Sequence, residues 1–392
     1  MKKLTTIFII VFILISGLMA SNARLQTLGS EAAMLVDDDV SIDLFPQRIN
    51  DFSIARVEGL GMAQPGYLVI IGDKGDKWGA FGSSSNSEDL VNIYRSLSPS
   101  SAVKLSFRIF REKNIQENNN ANNERSIGGF NASATYGWDN ITSEQALSLG
   151  ISYGPGASYN GLEFSNFDYV TYGVLDTNTV SGSSHTFNIN ANYSNRTSFN
   201  LAIFNKRYDH VGIGFGTGGH EITDNNTKIR EGNISDININ ARTFLFNQQQ
   251  VNQVSKLYYG VGAGLGYMRN KAENDISGVE TINNDFYFGS LRLATGLEIN
   301  IKNIDIRIGL NRTNTLYRTS GSKTENATTT EQSTSYISTN AGYGINTGLG
   351  YFYKGFQFNV VLNDQIWRSG PQMIFDSGNG NIFLAFDIVY NF

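Results

Sequence analysis

The sequence predicts an all-β protein: a transmembrane antiparallel β-barrel of about fourteen strands, with twelve to sixteen acceptable, and a short N-terminal plug segment. Three observations predict this fold. Apolar and polar residues alternate along most of the chain, as they do in strands with one apolar face. Short turns alternate with long polar stretches, and the chain ends on a regular aromatic strand. The composition, with 41 Gly, 25 Phe and 5 Pro in 392 residues, suits many strands and turns.

The N-terminus predicts export. Two lysines at positions 2 and 3 precede an almost unbroken apolar run over residues 4–15, and the small residues Ser21 and Ala23 follow it. The run is shorter than the roughly 20 residues that a membrane-spanning helix needs, and small residues after it are typical of a cleavage site. We therefore expect residues 1–23 to be a secretory signal peptide.

The rest of the chain divides into two parts. Residues 24–64 are too polar to span a membrane and too short to form a domain, so we expect them to form a plug or a periplasmic segment. Residues 65–392 carry the alternating pattern and form the predicted barrel.

Composition excludes several classes of function. The chain has no cysteine, which excludes a disulfide scaffold and thiolate metal sites. Its 35 acidic against 30 basic residues give no electrostatic footprint for nucleic acid. We expect no cofactor, no metal and no nucleic-acid partner.

The alternation is clearest in a hairpin over residues 288–312, with a tight turn at Lys302-Asn303. One face of the hairpin is aliphatic. The opposite face carries charged residues that would point into a barrel lumen, and with Arg242 of an earlier strand they give the lumen candidates: Arg242, Arg292, Glu298 and Arg307.

The connections also alternate in length. Short turns are predicted near 139–145, 195–197, 302–303 and 354–355. Long polar stretches between them include 112–125, 207–235 and 319–334. Short turns on one side and long loops on the other are typical of outer-membrane barrels.

A row of glycines on one face of strand 256–268 is unusual, since glycine weakens a strand. The row consists of Gly260, Gly262, Gly264 and Gly266. Two interpretations remain open: another group packs close to the backbone there, or the sheet bends.

The chain ends on NIFLAFDIVYNF, with Phe386, Ile388, Tyr390 and Phe392 on one face. A closed barrel leaves no free edge, so this strand is predicted to pair with the first one. Its pattern resembles the C-terminal assembly signal of bacterial outer-membrane proteins. The resemblance implies location in the outer membrane, contact with outer-membrane lipid and recognition by the barrel-assembly machinery.

Residues 23–51 resemble the entry segment of FadL-type transporters and the related PorV-type barrels, which are plugged and 14-stranded. The match rests on the plug candidates Leu28, Gly29, Asp37, Asp38, Asp39 and Pro46. Residues 45–48 (FPQR) depart from the Asn-Pro-Ala-Gly ending of that segment.

The aspartates of this segment have three possible roles. They would cap a turn or helix, bind calcium, or anchor the plug by ion pairs to Arg242, Arg292 and Arg307. Because their spacing is not that of a calcium-binding loop, a cap is favoured over calcium.

Enzyme motifs are weak. The three histidines, His185, His210 and His220, fall in or beside predicted outer loops, and loops rich in Ser and Asp supply apparent triad partners by chance, so no catalytic residue is assigned. We expect a passive transporter or porin for small molecules, hydrophobic ones among them. A non-conducting outer-membrane platform for secretion, adhesion or envelope structure is the alternative, and a barrel hydrolase is third.

Overall fold

The structure is a computed structural model, and the part of the chain that it describes consists mainly of strands. The described residues are 24, 27–28, 34–35, 38–60, 65–85, 88–118, 121–154, 180–201, 203–224, 227–274, 280–325, 328–338, 344–362 and 383–392. The predicted signal peptide lies outside them. Within these residues, no helix has the length and apolar character required to cross a membrane.

Two short 3-10 helices, Asp39–Asp43 and Pro46–Asp51, precede the strands. The strands are β1 (Ile54–Leu60), β2 (Gly66–Ile71), β3 (Trp78–Ser84), β4 (Glu88–Ser98), β5 (Ser101–Asn118), β6 (Ala121–Asp139), β7 (Ser143–Gly154), β8 (Val180–Leu201), β9 (Phe204–Asp224), β10 (Thr227–Asn252), β11 (Ser255–Asn274), β12 (Glu280–Ile301), β13 (Ile304–Glu325), β14 (Thr328–Ser338), β15 (Gly344–Tyr353), β16 (Phe356–Leu362) and β17 (Phe383–Asn391).

These strands form one closed antiparallel barrel with sixteen strand positions. Strands β14 and β15 pair with successive parts of β13, so together they occupy one position. Strand β1 pairs with β2 on one side and with β17 on the other, which closes the sheet. The predicted fold class is confirmed, at the upper end of the expected range.

Two strands were not foreseen, which is why sixteen positions replace the expected fourteen. They are β1 and β4. Strand β1 lies inside the range 24–64 that was predicted as a plug, so the wall begins at Ile54. This strand was missed because it is short and points Arg56 and Glu58 inward, which hides its apolar alternation.

The closure predicted for the C-terminal strand is confirmed, but its partner differs. Tyr390 lies opposite Ala55 of β1, and Ile388 lies opposite Val57. The predicted barrel began at residue 65, so the expected partner was the region of β2.

The barrel is apolar outside and polar inside. Large apolar side chains stand exposed at alternate positions of most strands, for example Leu147, Leu149 and Ile151 of β7. The intervening positions point into the interior, which we call the lumen. Buried lumen side chains include Asn92, Thr135, Asn188, Asn238, Glu298, Arg307, Asn359 and Asp387. An apolar outer band of this kind is what a lipid-facing barrel requires.

Both described ends of the wall, Ile54 and Asn391, lie at the same end of the barrel as the turns at 302–303 and 354–355, which we call the short-turn end. The predicted turns at 302–303 and 354–355 are confirmed, and a turn at 140–142 lies within the predicted range 139–145. Lys354 and Gly355 have φ angles of 47° and 85°, as a tight hairpin turn requires.

The turn predicted at 195–197 is wrong. Strand β8 runs through these residues, and the hairpin closes between Leu201 and Phe204. The polar residues at 195–197 resemble a turn sequence, but a barrel strand with a polar lumen side can carry such residues without a turn.

Several long polar stretches form paired strands rather than loops. Strands β5 and β6 stay paired to Asn118 and Ala121, and β9 and β10 stay paired to Asp224 and Thr227. The sequence near the tip of such a hairpin is polar at most positions, so it lacks the alternation by which strands are recognised.

The outer band gives a stability prediction. Leu149, near the middle of β7, is 57% exposed on the outer face, and the turn residue Ile141 is fully exposed at the short-turn end. In phospholipid vesicles we expect Leu149→Arg to lower the free energy of unfolding by about 2–4 kcal/mol, and Ile141→Arg to leave it nearly unchanged. Urea titration of the two variants measures this difference. Equal losses would contradict a lipid-facing band.

Candidate functional site

The described part of residues 24–53, which we call the plug segment, lies inside the barrel at the short-turn end. Phe45 packs edge-on against Tyr208 of β9, with ring centres 6.2 Å apart, and the guanidinium of Arg196 in β8 lies 4.7 Å from the Phe45 ring centre. A buried apolar cluster joins the segment to the wall. It contains Leu28, Met34, Leu35, Val40, Phe45, Ala146, Tyr208, Phe244, Phe246, Tyr258 and Ala294.

A second apolar cluster joins the plug segment to the opposite part of the wall. Ile42 and Ile49 of the segment pack there with Ile70 of β2, Tyr94 of β4 and Val389 of β17. The segment therefore contacts the wall on both sides of the closing strand β1 and across the lumen.

Wall glycines make room for the plug segment. A Cβ atom placed on Gly296 of β12 would lie 2.6 Å from the carbonyl oxygen of Leu28, and one on Gly137 of β6 would lie 2.9 Å from Cδ of Pro46. Real Cβ atoms do not approach so closely, so a larger residue at either position would displace the segment.

Polar contacts fix the orientation of the segment. The Gln47 amide donates to the Asp139 carboxylate at 2.9 Å, and the Asn50 amide donates to the carbonyl of Ser98 at 3.0 Å. Lys104 donates to the carbonyl of Asp43 at 2.7 Å. All three contacts lie near short turns.

Four of the plug candidates lie inside the lumen: Leu28, Asp38 and Pro46 are buried there, and Asp39 is half-buried. The other two, Gly29 and Asp37, lie outside the described residues. Asp38 caps the first 3-10 helix, because its carboxylate accepts a hydrogen bond from the backbone N–H of Val40 at 3.1 Å. Among the described residues, no group of three or more acidic or histidine side chains has a metal-binding arrangement.

One buried ion network joins the plug segment to the wall. Arg24 pairs with Asp38 at 2.6 Å and with Glu298 of β12 at 2.7 Å. Glu298 also pairs with Arg307 of β13 at 2.7 Å, and Arg307 pairs with Asp305 at 2.6 Å. Each charge therefore has an opposite partner, as burial requires.

A second network lies on the other side of the plug segment. Arg56 of β1 pairs with Asp39 at 2.7 Å and with Glu58 at 2.8 Å. The described aspartates thus pair with Arg24 and Arg56. The sequence had proposed Arg242, Arg292 and Arg307 as their partners, and for Asp38 and Asp39 this proposal is wrong. Arg24 and Arg56 escaped notice because nothing in the sequence shows that they meet the aspartates.

The two neighbouring aspartates differ in charge state. Burial raises the pKa of Asp38, but Arg24 and hydrogen bonds from neighbouring groups outweigh this effect and lower it to about 2. Burial raises the pKa of Asp39 to about 7, and the nearby charge of Asp38 adds to this rise, against the attraction of Arg56. Near neutral pH, the ionised fraction of Asp39 is therefore sensitive to small changes in pH.

Two of the lumen candidates, Glu298 and Arg307, belong to the network at the plug segment, and the other two lie beyond it. Arg242 and Arg292 line a cavity of about 150 Å³ on the far side of the segment from the short turns. The other residues that line it are Tyr208, Thr243, Phe244, Gly262, Ala263, Gly264, Ser290 and Thr313.

The glycine row is explained by close packing. A Cβ atom on Gly260 or Gly262 would collide with the ring of Phe244, and one on Gly266 would collide with the ring of Phe288. Of the two interpretations of the row, the structure thus shows the close approach of a neighbouring group.

The histidines lie in the wall rather than in loops. His185 belongs to β8, and His210 and His220 belong to β9. Ser194 Oγ lies 3.0 Å from His210 Nδ1 across the two strands. Among the described residues no carboxylate hydrogen-bonds to His210, so this pair lacks the third member of a triad.

The residues of the C-terminal signal lie on the outer face of β17. Phe386, Tyr390 and Phe392 are 39%, 38% and 58% exposed, whereas Asp387 and Val389 between them are buried. Tyr390 packs against Phe356 of β16, with ring centres 4.6 Å apart.

Comparison with known proteins gives no family. No family model and no curated protein matches the chain. Solved structures that align with it include the ferric yersiniabactin uptake receptor FyuA from Yersinia pestis, with a TM-score of 0.38, 7% identity and coverage of 79% of this chain and 68% of that chain. The ferric-catecholate import receptor Fiu from E. coli K12 aligns with a TM-score of 0.32, 9% identity and coverage of 87% and 81%. Similarity at this level carries no argument about function.

The fit between wall and plug segment can be tested at Gly296. We expect Gly296→Val to displace the segment, because the new side chain overlaps Leu28. Gly289→Val on the same strand is the control, since a Cβ there meets only Leu265 at 3.7 Å. The chain has no cysteine, so a maleimide reacts only with an introduced reporter, Ser41→Cys, which is buried. Faster labelling with Gly296→Val alone is expected, and equal rates for both variants would contradict the fit.

The raised pKa of Asp39 predicts pH-dependent docking of the plug segment. Between the ordinary value of 3.8 and about 7, the docked state holds more protons than the undocked state, so docking weakens as pH rises through about 7. For one such proton the undocked fraction rises about tenfold between about pH 6 and about pH 8.

The same Ser41→Cys reporter measures this effect. Asp39→Asn, which stays neutral at all pH values, should remove it. The ratio of the wild-type labelling rate to the Asp39→Asn rate cancels the titration of the thiol itself, and we expect this ratio to rise with pH. A flat ratio would show that Asp39 does not control docking.

Proposed function

We propose that this protein is an outer-membrane barrel that acts as a passive transporter for small molecules, with a path through the lumen that the plug segment obstructs at the short-turn end. The single observation that carries the proposal is the buried plug segment inside a polar lumen. A barrel that served only as a platform would have no need of a polar lumen beyond the segment.

The lumen wall beyond the plug segment suits the passage of polar groups. On the lumen side of β8, β9 and β10, three successive glycines of β9 each lie between a polar residue of β8 and a polar residue of β10. These cross-strand sets are Asn188–Gly216–Asp236, Asn190–Gly214–Asn238 and Asn192–Gly212–Asn240. A Cβ atom on Gly212 would lie 2.7 Å from the Asn240 amide nitrogen, so at this position an amide reaches over the glycine and offers donors and acceptors to the lumen.

Ion pairs, rather than covalent links, hold the obstruction in place. Breaking a buried ion pair by removing one partner costs about 3–5 kcal/mol, and the remaining contacts of the plug segment are the two apolar clusters and the hydrogen bonds near the short turns. In this proposal the loss of the Arg24 ion pairs opens the path without unfolding the barrel.

The outer-membrane location and the assembly route belong to the same proposal. The apolar outer band contacts outer-membrane lipid, and the exposed aromatic residues of β17 with Phe392 present the signal to the barrel-assembly machinery. The FadL-type or PorV-type relationship remains a hypothesis that rests on the sequence of the plug candidates, and the sixteen strand positions depart from the fourteen of those barrels.

Conductance in planar lipid bilayers tests the transport proposal. We expect Arg24→Gln to raise the open probability, because it leaves Asp38 buried without its cation and frees Glu298 from the segment. Arg269→Gln is the matched control, since it removes the same charge from an exposed pair with Asp285 at 2.8 Å. A variant lacking residues 24–53 keeps β1 intact and should conduct continuously.

Swelling of liposomes in small sugars gives a second measure of the same path. If the variant lacking residues 24–53 inserts but passes neither ions nor sugars, the transport proposal fails and the non-conducting platform takes its place.

A further inference from the structure

We propose that the cavity beyond the plug segment is a binding site for an oxyanion, the carboxylate or phosphate group of a solute. This inference rests on the proposed transport function only in that it names the class of solute. The binding itself would take place whether or not the barrel conducts.

The cavity is built around glycines. In the strand register, Arg242 of β10 lies opposite Gly264 of β11, and Gly262 of β11 lies opposite Arg292 of β12. The two arginines thus flank β11 diagonally, and Gly262 and Gly264 between them add no side chain to the lining. The cavity volume of about 150 Å³ far exceeds the roughly 10–15 Å³ that one water molecule needs.

The lining of the cavity includes two arginines and no Asp or Glu, although the whole chain is acidic with a net charge of −5. Among the described residues Arg242 forms no ion pair. Its guanidinium is held instead by Tyr208, with the carbon 5.5 Å from the ring centre and one nitrogen 3.5 Å from the hydroxyl.

The other polar groups of the cavity can donate hydrogen bonds. Tyr208, Ser290 and Thr313 each bring a hydroxyl to the lining. Guanidinium groups bind carboxylate and phosphate through two parallel hydrogen bonds, and hydroxyl groups complete the shell of such an anion. A cation would meet only repulsion from the arginines at this place.

The location of the site gives it a role in the path. Phe244 lines the cavity and also belongs to the apolar cluster with Leu28 and Phe45. Tyr208 likewise lines the cavity and contacts Phe45. A solute that enters from the end opposite the short turns therefore meets the two arginines immediately before the plug segment.

Calorimetric titration of the full chain in detergent tests the site, with inorganic phosphate and acetate as separate probes. We expect saturable binding of at least one probe. Arg242→Gln and Arg292→Gln should each weaken it roughly tenfold or more, since each removes a charge-assisted hydrogen bond. Arg242→Lys keeps the charge and should retain more of the binding than Arg242→Gln. Arg269→Gln, outside the cavity, should bind like the wild type.

The shift of electrophoretic mobility on heating shows whether each variant is folded, and Arg242→Lys provides a test that does not depend on losing the charge. Absence of binding of both probes by the wild type would overturn the proposal. So would binding that Arg242→Gln and Arg292→Gln leave unchanged. Because conductance is measured separately, a non-conducting barrel that binds phosphate would disprove transport and still support the site.

Discussion

Closure of the sheet is the constraint on which the rest of this structure depends. Strand β1 forms ladders with both β2 and β17, so the described strands form a continuous closed ring. In a lipid environment each unpaired backbone group would cost several kcal/mol. Closure therefore permits the apolar outer face, and the apolar outer face requires closure. The aromatic end of the chain, Tyr390 and Phe392, lies at this seam.

Closure also explains why the plug segment lies where it does. The chain enters the wall at Ile54, at the short-turn end and beside the C-terminal strand. Residues immediately before Ile54 are therefore close to the mouth of the lumen, and their apolar side chains find partners only inside it. Glycines such as Gly296 and Gly137 accept them, and Arg24 and Arg56 join them to the wall by ion pairs.

The charges of the interior divide into two groups with different surroundings. At the plug segment, Glu298 and Arg307 satisfy each other and Arg24 within a closed network. Beyond it, Arg242 and Arg292 border open space together with hydroxyl groups. The first group joins the docked segment to the wall, whereas the second lines the cavity that we propose as a binding site. The same residue type thus has a structural role at one level of the lumen and a proposed binding role at the next.

The sequence by itself determined the fold class, the closing role of the last strand and the identity of many lumen residues, because alternation along a strand records which side faces lipid. It could not determine the strand count, since β1 carries inward charges and the outer hairpins lose their alternation. Only the tertiary structure decided which charges meet. Asp38 and Asp39 gave no sign in the sequence that Arg24 and Arg56 are their partners, because ion pairing depends on the register of strands and on where the plug segment lies in the lumen. The glycines of β11 were visible as a row in the sequence. Only the structure showed the reason for the row, which is the close packing of the Phe244 and Phe288 rings against it.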